Sequence, residues 1–317
     1  MSWMKKMLAA LALAAFVALP SACGDDKNDG DSDTDANALN GEVVIDGSST
    51  VYPIAEAASD DFYKKFPNVK VTVGVSGTGG GFQRFTKGET DISNASRPIK
   101  GNEFEIAKKN GIEFIEVPCS LDGLSIVVNK ENTWVEKLTV EDLQKIFLED
   151  GVKNWNELNP AWPDEPIKMY SPGKQSGTYD YFMEVVAGKT KKAFRGDKLM
   201  STSEKDHVLV QGVFGDKFAI GYFGAAYYFE NLDKLRAVPI VNPSTGEAVL
   251  PEEKNVIDGS YAPFGRPIFF YVNVESLKKP QVREFVNYWI DNGSKFSKQV
   301  KYVPLPEEIT KRAKDMV

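Results

Sequence analysis

Three short loops in this 317-residue chain combine hydroxyl side chains with glycine, and each runs directly into a helical pattern. The first is Gly47-Ser48-Ser49-Thr50-Val51-Tyr52-Pro53, the second Ser76-Gly77-Thr78-Gly79-Gly80-Gly81, and the third Ser176-Gly177-Thr178. A helix N-terminus presents backbone N–H groups that have no intrahelical partner and carries about half a positive charge. Glycine lets that backbone approach a ligand closely, and Ser or Thr adds a directional O–H donor. Several such ends converging on one point would replace the hydration shell of a small oxyanion. One loop alone reads as ordinary N-capping; three in one chain point to an anion. A fourth segment, Asp91 to Ile99, is a strand end that empties into Ser96 and Arg97, where Arg97 offers an always-charged planar fork of donors. No Lys-Ser or Lys-Thr follows the glycine run and the glycines lack dinucleotide spacing, so a nucleotide is disfavoured.

Other chemistries have little to draw on. The chain has one histidine, His207, in the polar stretch Ser203 to Val208, and a hydrolytic serine among Ser49, Ser76 and Ser176 would need it as base. Two cysteines cannot build a disulfide framework or a zinc site, so no metal and no cofactor is expected. Cys119 follows the apolar run Phe114 to Val117 and reads as a buried structural thiol. With 38 Lys and Arg against 45 Asp and Glu the net charge is -7, which disfavours nucleic acid or any partner held by a broadly basic face.

The elements that must position these loops alternate. Glu42 to Asp46 is strand-like, Pro53 to Phe66 repeats apolar residues at helical spacing, and Val69, Val71, Val73 and Val75 alternate strictly. Strand, helix, strand in that order predicts a parallel sheet in an α/β protein. Strands are expected again at Asp91 to Asn94, Glu113 to Pro118, Leu124 to Asn129, Ala219 to Tyr222, Ala237 to Val241 and Pro267 to Val274, and helices at Val140 to Phe147 and Gln281 to Asp291. Two continuous apolar strands bordered by Gly or Pro, Asp122 to Asn129 and Gly265 to Val274, are candidates for chain crossings between two lobes with a cleft between them.

Residues 1–22 read as an export signal, with Lys5 and Lys6 before an apolar stretch too short to span a bilayer. Cys23, after Pro20-Ser21-Ala22, is a lipidation candidate, although Pro20 stands where a lipobox carries Leu. Residues 23–40 read as a flexible acidic tether. Without residues 1–22, 36 basic face 45 acidic residues, a net charge of -9.

At these residues the chain resembles the phosphate-binding proteins of bacterial Pst-type ABC transporters. The resemblance runs from about Gly41 to Leu305 on GSSTVYP, SGTGGGF, DISNASRPI, DGLSIVVN, SGTYDYF, DKFAIGYFGAAYY, RPIFFYVN and YVPLP. It implies the class II periplasmic-binding-protein fold, two α/β lobes joined by two hinge strands with a ligand cleft between them. On that pattern residues 41–123 with 266–317 form lobe 1, and residues 124–265 form lobe 2. The implied function is extracytoplasmic capture of inorganic phosphate and its handover to membrane permease subunits. The protein would be a monomer held at the membrane only by a lipid on Cys23, and not an enzyme; a receptor for sulfate or another oxyanion, or a phosphatase-like enzyme, are the alternatives. Carried over by position, the implied phosphate ligands are Ser49, Thr50 and the Val51 amide, then Ser76, Thr78 and Gly79, then Ser176, Gly177 and Thr178, with Ser48 open by register.

The chain departs from the family pattern in one respect. Well-known members have an Asp where Arg97 stands and an Arg ahead of the third loop, where this chain has Tyr170-Ser171-Pro172-Gly173-Lys174-Gln175. The positive charge is therefore expected on Arg97, and Asp46, Asp91 and Asp180 remain candidates to accept the phosphate proton.

Overall fold

A computed structural model describes residues 39–174, 176–188, 190, 192–203 and 205–317. The expected export signal and Cys23 lie outside the described residues, as does the tether up to residue 38; Leu39 is buried in the first core. The chain opens with β1 (Gly41–Gly47), α1 (Tyr52–Lys65), β2 (Val69–Val73), α2 (Gly77–Phe85) and β3 (Ile92–Ala95). As the strand-helix-strand order predicts, β1 pairs parallel with both β2 and β3. β2 is the sheet edge and ends at Val73, so Val75 continues the alternation into an exposed loop.

After α3 (Gly101–Lys109) comes β4 (Phe114–Asn129), where sequence predicts two strands and the structure has one of sixteen residues. Pro118 reads as a strand end, yet it sits at a bulge: Pro118 faces Phe269, Ser120 faces Ile268, and Cys119 is the extra residue. Then follow α4 (Val140–Phe147), β5 (Lys168–Pro172), α5 (Gly177–Val186), β6 (Met200–Ser203), α6 (Asp206–Phe214), β7 (Ala219–Gly224) and α7 (Ala225–Phe229). The expected strand 237–241 is split by Val238-Pro239 into β8 (Leu235–Ala237) and β9 (Ile240–Val241), since proline cannot donate to a ladder. β10 (Ala248–Val249), α8 (Glu253–Ile257), β11 (Gly265–Asn273), α9 (Pro280–Gln299) and α10 (Glu307–Asp315) complete the chain. α9 outruns its expected end at Asp291 because Phe296, two turns past Trp289, extends the buried face.

The strand order is β2-β1-β3-β11-β4-β7-β5-β6, with β8 also on β4. β4 changes partners along its length, running antiparallel to β11 up to Gly123 and to β7 from Leu124. The core changes with it. Ile268, Phe270 and Val272 of β11 face α1 and α9 with Phe62, Phe285 and Trp289, while the alternate residues Phe269 and Tyr271 face α2 with Phe82 and Phe85. Beyond Gly123, Leu124, Ile126 and Val128 enter a second core with Phe147, Phe182 and Tyr222. The α/β fold thus has two lobes with β4 running through both cores, and Gly123, the last residue of β4 to pair with β11, stands opposite Gly265, where β11 begins. Among the described residues no helix is long and apolar enough to cross a membrane.

Candidate functional site

The first loop is held from both sides. Gly47 has φ +139 and its added β-carbon would lie 2.2 Å from the Asn94 carbonyl oxygen, so only glycine permits the contact in which the Ser48 amide donates to that oxygen at 2.9 Å. Ser48 Oγ accepts from the Thr50 amide (3.2 Å), and the Ser48 carbonyl accepts from the Val51 and Tyr52 amides (3.2 and 3.0 Å). Val51 points into the core, and Tyr302 donates its phenol proton to the Thr50 carbonyl at 2.9 Å.

Asp46 ties the first loop to the second. Its buried carboxylate accepts from the Gly47 amide (2.8 Å), the Ser76 amide (3.0 Å) and Arg84 Nη1 (2.6 Å). Gly81 of α2 lies against β1, where a β-carbon would be 2.6 Å from Gly47 Cα. Thr78 Oγ1 sits 3.0 Å from Ser96 Oγ and accepts from the Ser96 amide at 3.2 Å. Arg97 is stacked over Phe82 and engages Glu103 with both terminal nitrogens at 2.8 Å, while Nη1 also donates to the Pro98 carbonyl. Burial works against the Glu103 charge, but hydrogen bonds from Arg97 and the Lys100 amide prevail and hold its pKa below the ordinary carboxylate value.

The third loop belongs to the other lobe and meets the first across the cleft. Ser176 caps α5 by accepting from the Thr178 amide at 3.2 Å. Gly177 packs on Thr50, its carbonyl 3.4 Å from Thr50 Oγ1, and Ser49 Oγ donates to Asp180 Oδ2 at 2.8 Å.

These elements enclose a cavity of about 220 Å³, below the range of about 300–1,000 Å³ found for drug-sized ligands. Of the residues expected from sequence, Ser49, Thr50, Thr78 and Arg97 line it, together with Ser48, whereas Val51, Ser76, Gly79, Ser176, Gly177 and Thr178 stand outside the lining. Gly77 and Ser96 complete the first-lobe wall. Asp46 and Asp91 spend their oxygens elsewhere, Asp91 on the Val44 amide, Ser276 and Lys279. Asp180 lines the cavity.

Sequence reading missed Tyr181, Glu184 and Arg266. The first two were available from helical spacing, since 177, 180, 181 and 184 share one face of α5. Arg266 stands in the RPIFFYVN segment at the lobe crossing. Its guanidinium lies 3.4 Å from the Tyr181 ring centroid, Nη1 donates to Glu184 Oε2 at 2.9 Å, and Nε is 3.7 Å from Asp122 Oδ2. Burial pushes the Asp122 carboxyl up to about 6 against the opposing pull of Arg266. Burial also holds the Tyr181 phenol well above its ordinary value, so Arg266 stacks on a neutral ring. His207 is exposed in the first turn of α6, outside the lining. Among the described residues no group of three His, Cys, Asp or Glu could hold a metal.

With this geometry in view, the similarities to known proteins are specific. The family model of the PBP superfamily domain matches residues 31–292. Protein SphX of Synechococcus elongatus is 50% identical over 275 residues, 86% of this chain and 80% of that protein. The phosphate-binding protein PstS of Staphylococcus saprophyticus is 40% identical over 291 residues, 92% of this chain and 87% of that protein. The crystal structure of a possible phosphate binding protein from Planctomyces limnophilus superposes with a TM-score of 0.84 at 41% identity, covering 88% of this chain and 98% of that one.

Proposed function

This chain belongs to the PBP superfamily, among its PstS-type phosphate-binding proteins, and from that membership we propose that it captures inorganic phosphate in the interlobe cavity and hands it to an ABC permease outside the cytoplasm. The observation that carries the reading is the convergence of the Ser49-Thr50 turn, Thr78 and the N-terminus of α5 on one small cavity with Asp180 in its wall. Ser49, Thr50 and Thr78 serve the anion from one lobe, with Arg97 beside them, and α5 faces it from the other; the Val51, Ser76 and Thr178 amides, expected as donors, are instead spent on the Ser48 carbonyl, Asp46 and Ser176 Oγ. Of the three candidate aspartates, Asp180 is the one in the cavity lining, next to Glu184, so the proton that phosphate carries and sulfate lacks meets a carboxylate there. A fully deprotonated oxyanion would face that carboxylate with no hydrogen bond to relieve the repulsion. The site is read as binding its ligand without transforming it, since the one histidine, His207, stands exposed on α6 away from Ser49, Ser76 and Ser176 and outside the lining.

The lobes are residues 41–123 with 266–317 and residues 124–265. The protein works as a monomer, with a lipid on Cys23 holding it to the membrane by its acidic tether. Labelling with a fatty acid should depend on Cys23; a Cys23→Ala protein that still labels removes the anchor. Titration calorimetry with phosphate, arsenate and sulfate tests the function. Phosphate is expected to bind at roughly micromolar affinity or tighter and sulfate to bind at least about 100-fold more weakly; sulfate equal to phosphate would overturn the reading.

A further inference from the structure

Two guanidiniums line the cavity, and their donors are committed very differently. Arg97 spends three of its N–H groups on Glu103 and the Pro98 carbonyl. Arg266 makes one hydrogen bond, from Nη1 to Glu184, and its buried Nε has no hydrogen-bond acceptor, being 3.7 Å from Asp122 Oδ2. Four of its five N–H groups therefore have no acceptor among the described residues. One face of the guanidinium is covered by Tyr181, whose own hydroxyl is tied to the Pro263 carbonyl at 2.7 Å. What remains to meet a ligand is its N–H edge.

Its position in the chain adds a second argument. Arg266 is the second residue of β11, in register with Asp122 of β4 and next to the Gly123–Gly265 pair where the lobes meet. Its side chain reaches onto α5 of the second lobe, whose Tyr181 and Glu184 hold it. A group rooted at the crossing keeps its place when the lobes change their angle, whereas Arg97 travels with the first lobe.

Resting on the reading of the cavity as a phosphate site, we propose that Arg266 is the specificity-determining guanidinium that takes the charge of the anion, and that Glu184 sets the selectivity by sharing it. Asp122 and Glu184 flank Arg266 from β4 and α5, two carboxylates on one cation, so an incoming anion competes with Glu184 for the same N–H edge. An oxyanion carrying a proton turns that competition into a hydrogen bond, because it can donate to Glu184 while it accepts from Arg266. An aprotic oxyanion can accept from Arg266 but has no proton to relieve its repulsion from Glu184. Arg97, already paired in fork geometry with Glu103, acts as a fixed wall of the first lobe.

The test is calorimetry on the full-length mature protein and four variants with phosphate and sulfate, with thermal melts run alongside. Arg266→Gln should lower phosphate affinity by about 100-fold and Arg266→Lys by about tenfold, since Lys keeps the charge and loses the fork. Arg97→Gln should cost less than about fivefold. Glu184→Gln is the arm that does not depend on folding, because Glu184 is half exposed: it should raise sulfate affinity relative to phosphate by about tenfold. Wild-type protein that ignores phosphate refutes the underlying function. Wild-type binding with an unchanged phosphate-to-sulfate ratio in Glu184→Gln, or with Arg97→Gln costing more than Arg266→Gln, overturns this inference alone.

Discussion

Gly177→Ala should prop the two lobes apart. Gly177 opens α5, and its missing side chain is where the second lobe touches the first: a β-carbon there would sit 2.8 Å from Thr50 Cα, 3.0 Å from Thr50 N and 3.2 Å from Ser49 C. Ordinary contact begins at 3.4 Å, so the nearest pair must part by at least about 0.6 Å. All three contacts are backbone, on a loop braced by the Asn94 carbonyl and by Tyr302, so the loop has little room to give. Separation by that amount stretches two contacts that cross the cleft, the Ser49-to-Asp180 hydrogen bond and the longer Thr50-to-Gly177 one. One charge-assisted and one weak neutral hydrogen bond together are worth about 2 kcal/mol, which predicts about a 30-fold loss of phosphate affinity. The clash lies between lobes and leaves both cores intact, so the melting temperature without phosphate should move by less than about 2 °C. Calorimetry gives the affinity, and small-angle scattering at saturating phosphate should show a more open variant. Affinity within about threefold of wild type, or a melting loss above about 5 °C, would refute the reasoning, the second by showing that the contact belongs to the fold rather than to closure.

Three other perturbations probe the supports of the site. The Asp122 carboxyl is raised in the folded protein from 3.8 to about 6, so the folded state holds a proton that the unfolded chain releases. Its stabilising contribution is present below about pH 4 and is lost as pH rises through about 6, an amount of about 3 kcal/mol; Asp122→Asn should remove that slope from a stability-against-pH curve, and parallel curves would sink the assignment. Asp46→Ala strands the Gly47 and Ser76 amides and should cost about 3 kcal/mol in denaturant unfolding together with a clear loss of phosphate binding; a cost under about 1 kcal/mol would mean the carboxylate does not join the loops. Tyr302→Phe frees the Thr50 carbonyl and should weaken phosphate about fivefold with little change in stability, so unchanged affinity would remove the brace.

What sequence could convey depended on whether a signal is local. Helix α4 is legible because its apolar spacing is local, and in the structure the Thr139 hydroxyl caps it by accepting from the Asp142 amide. The three hydroxyl-glycine loops were legible for the same reason, each being a strand end, a turn and a helix start. The fusion of two expected strands into β4 was not, because only the β11 register shows that Pro118 occupies a bulge. Arg266 was hidden similarly: its segment reads as a crossing strand, and its tie to Glu184 of α5 spans 82 positions. Asp46, Asp91 and Asp180 cannot be ranked as acceptors in sequence, since what separates them is which partners their oxygens already have.

The charge on the molecule sharpens why the site is built this way. Without residues 1–22 the chain carries a net charge of -9, so long-range attraction does not bring an anion in. The cavity repeats the balance at short range, with Arg97 and Arg266 against Asp180 and Glu184 in its lining. Charge alone therefore cannot hold an oxyanion there. On the proposed reading, what holds it is the short-range hydrogen bonding of the lining, with carboxylates that demand a proton in return. Such a site is filled best by an anion that is both acceptor and donor, and its affinity should vary little with salt compared with a site built from surface lysines.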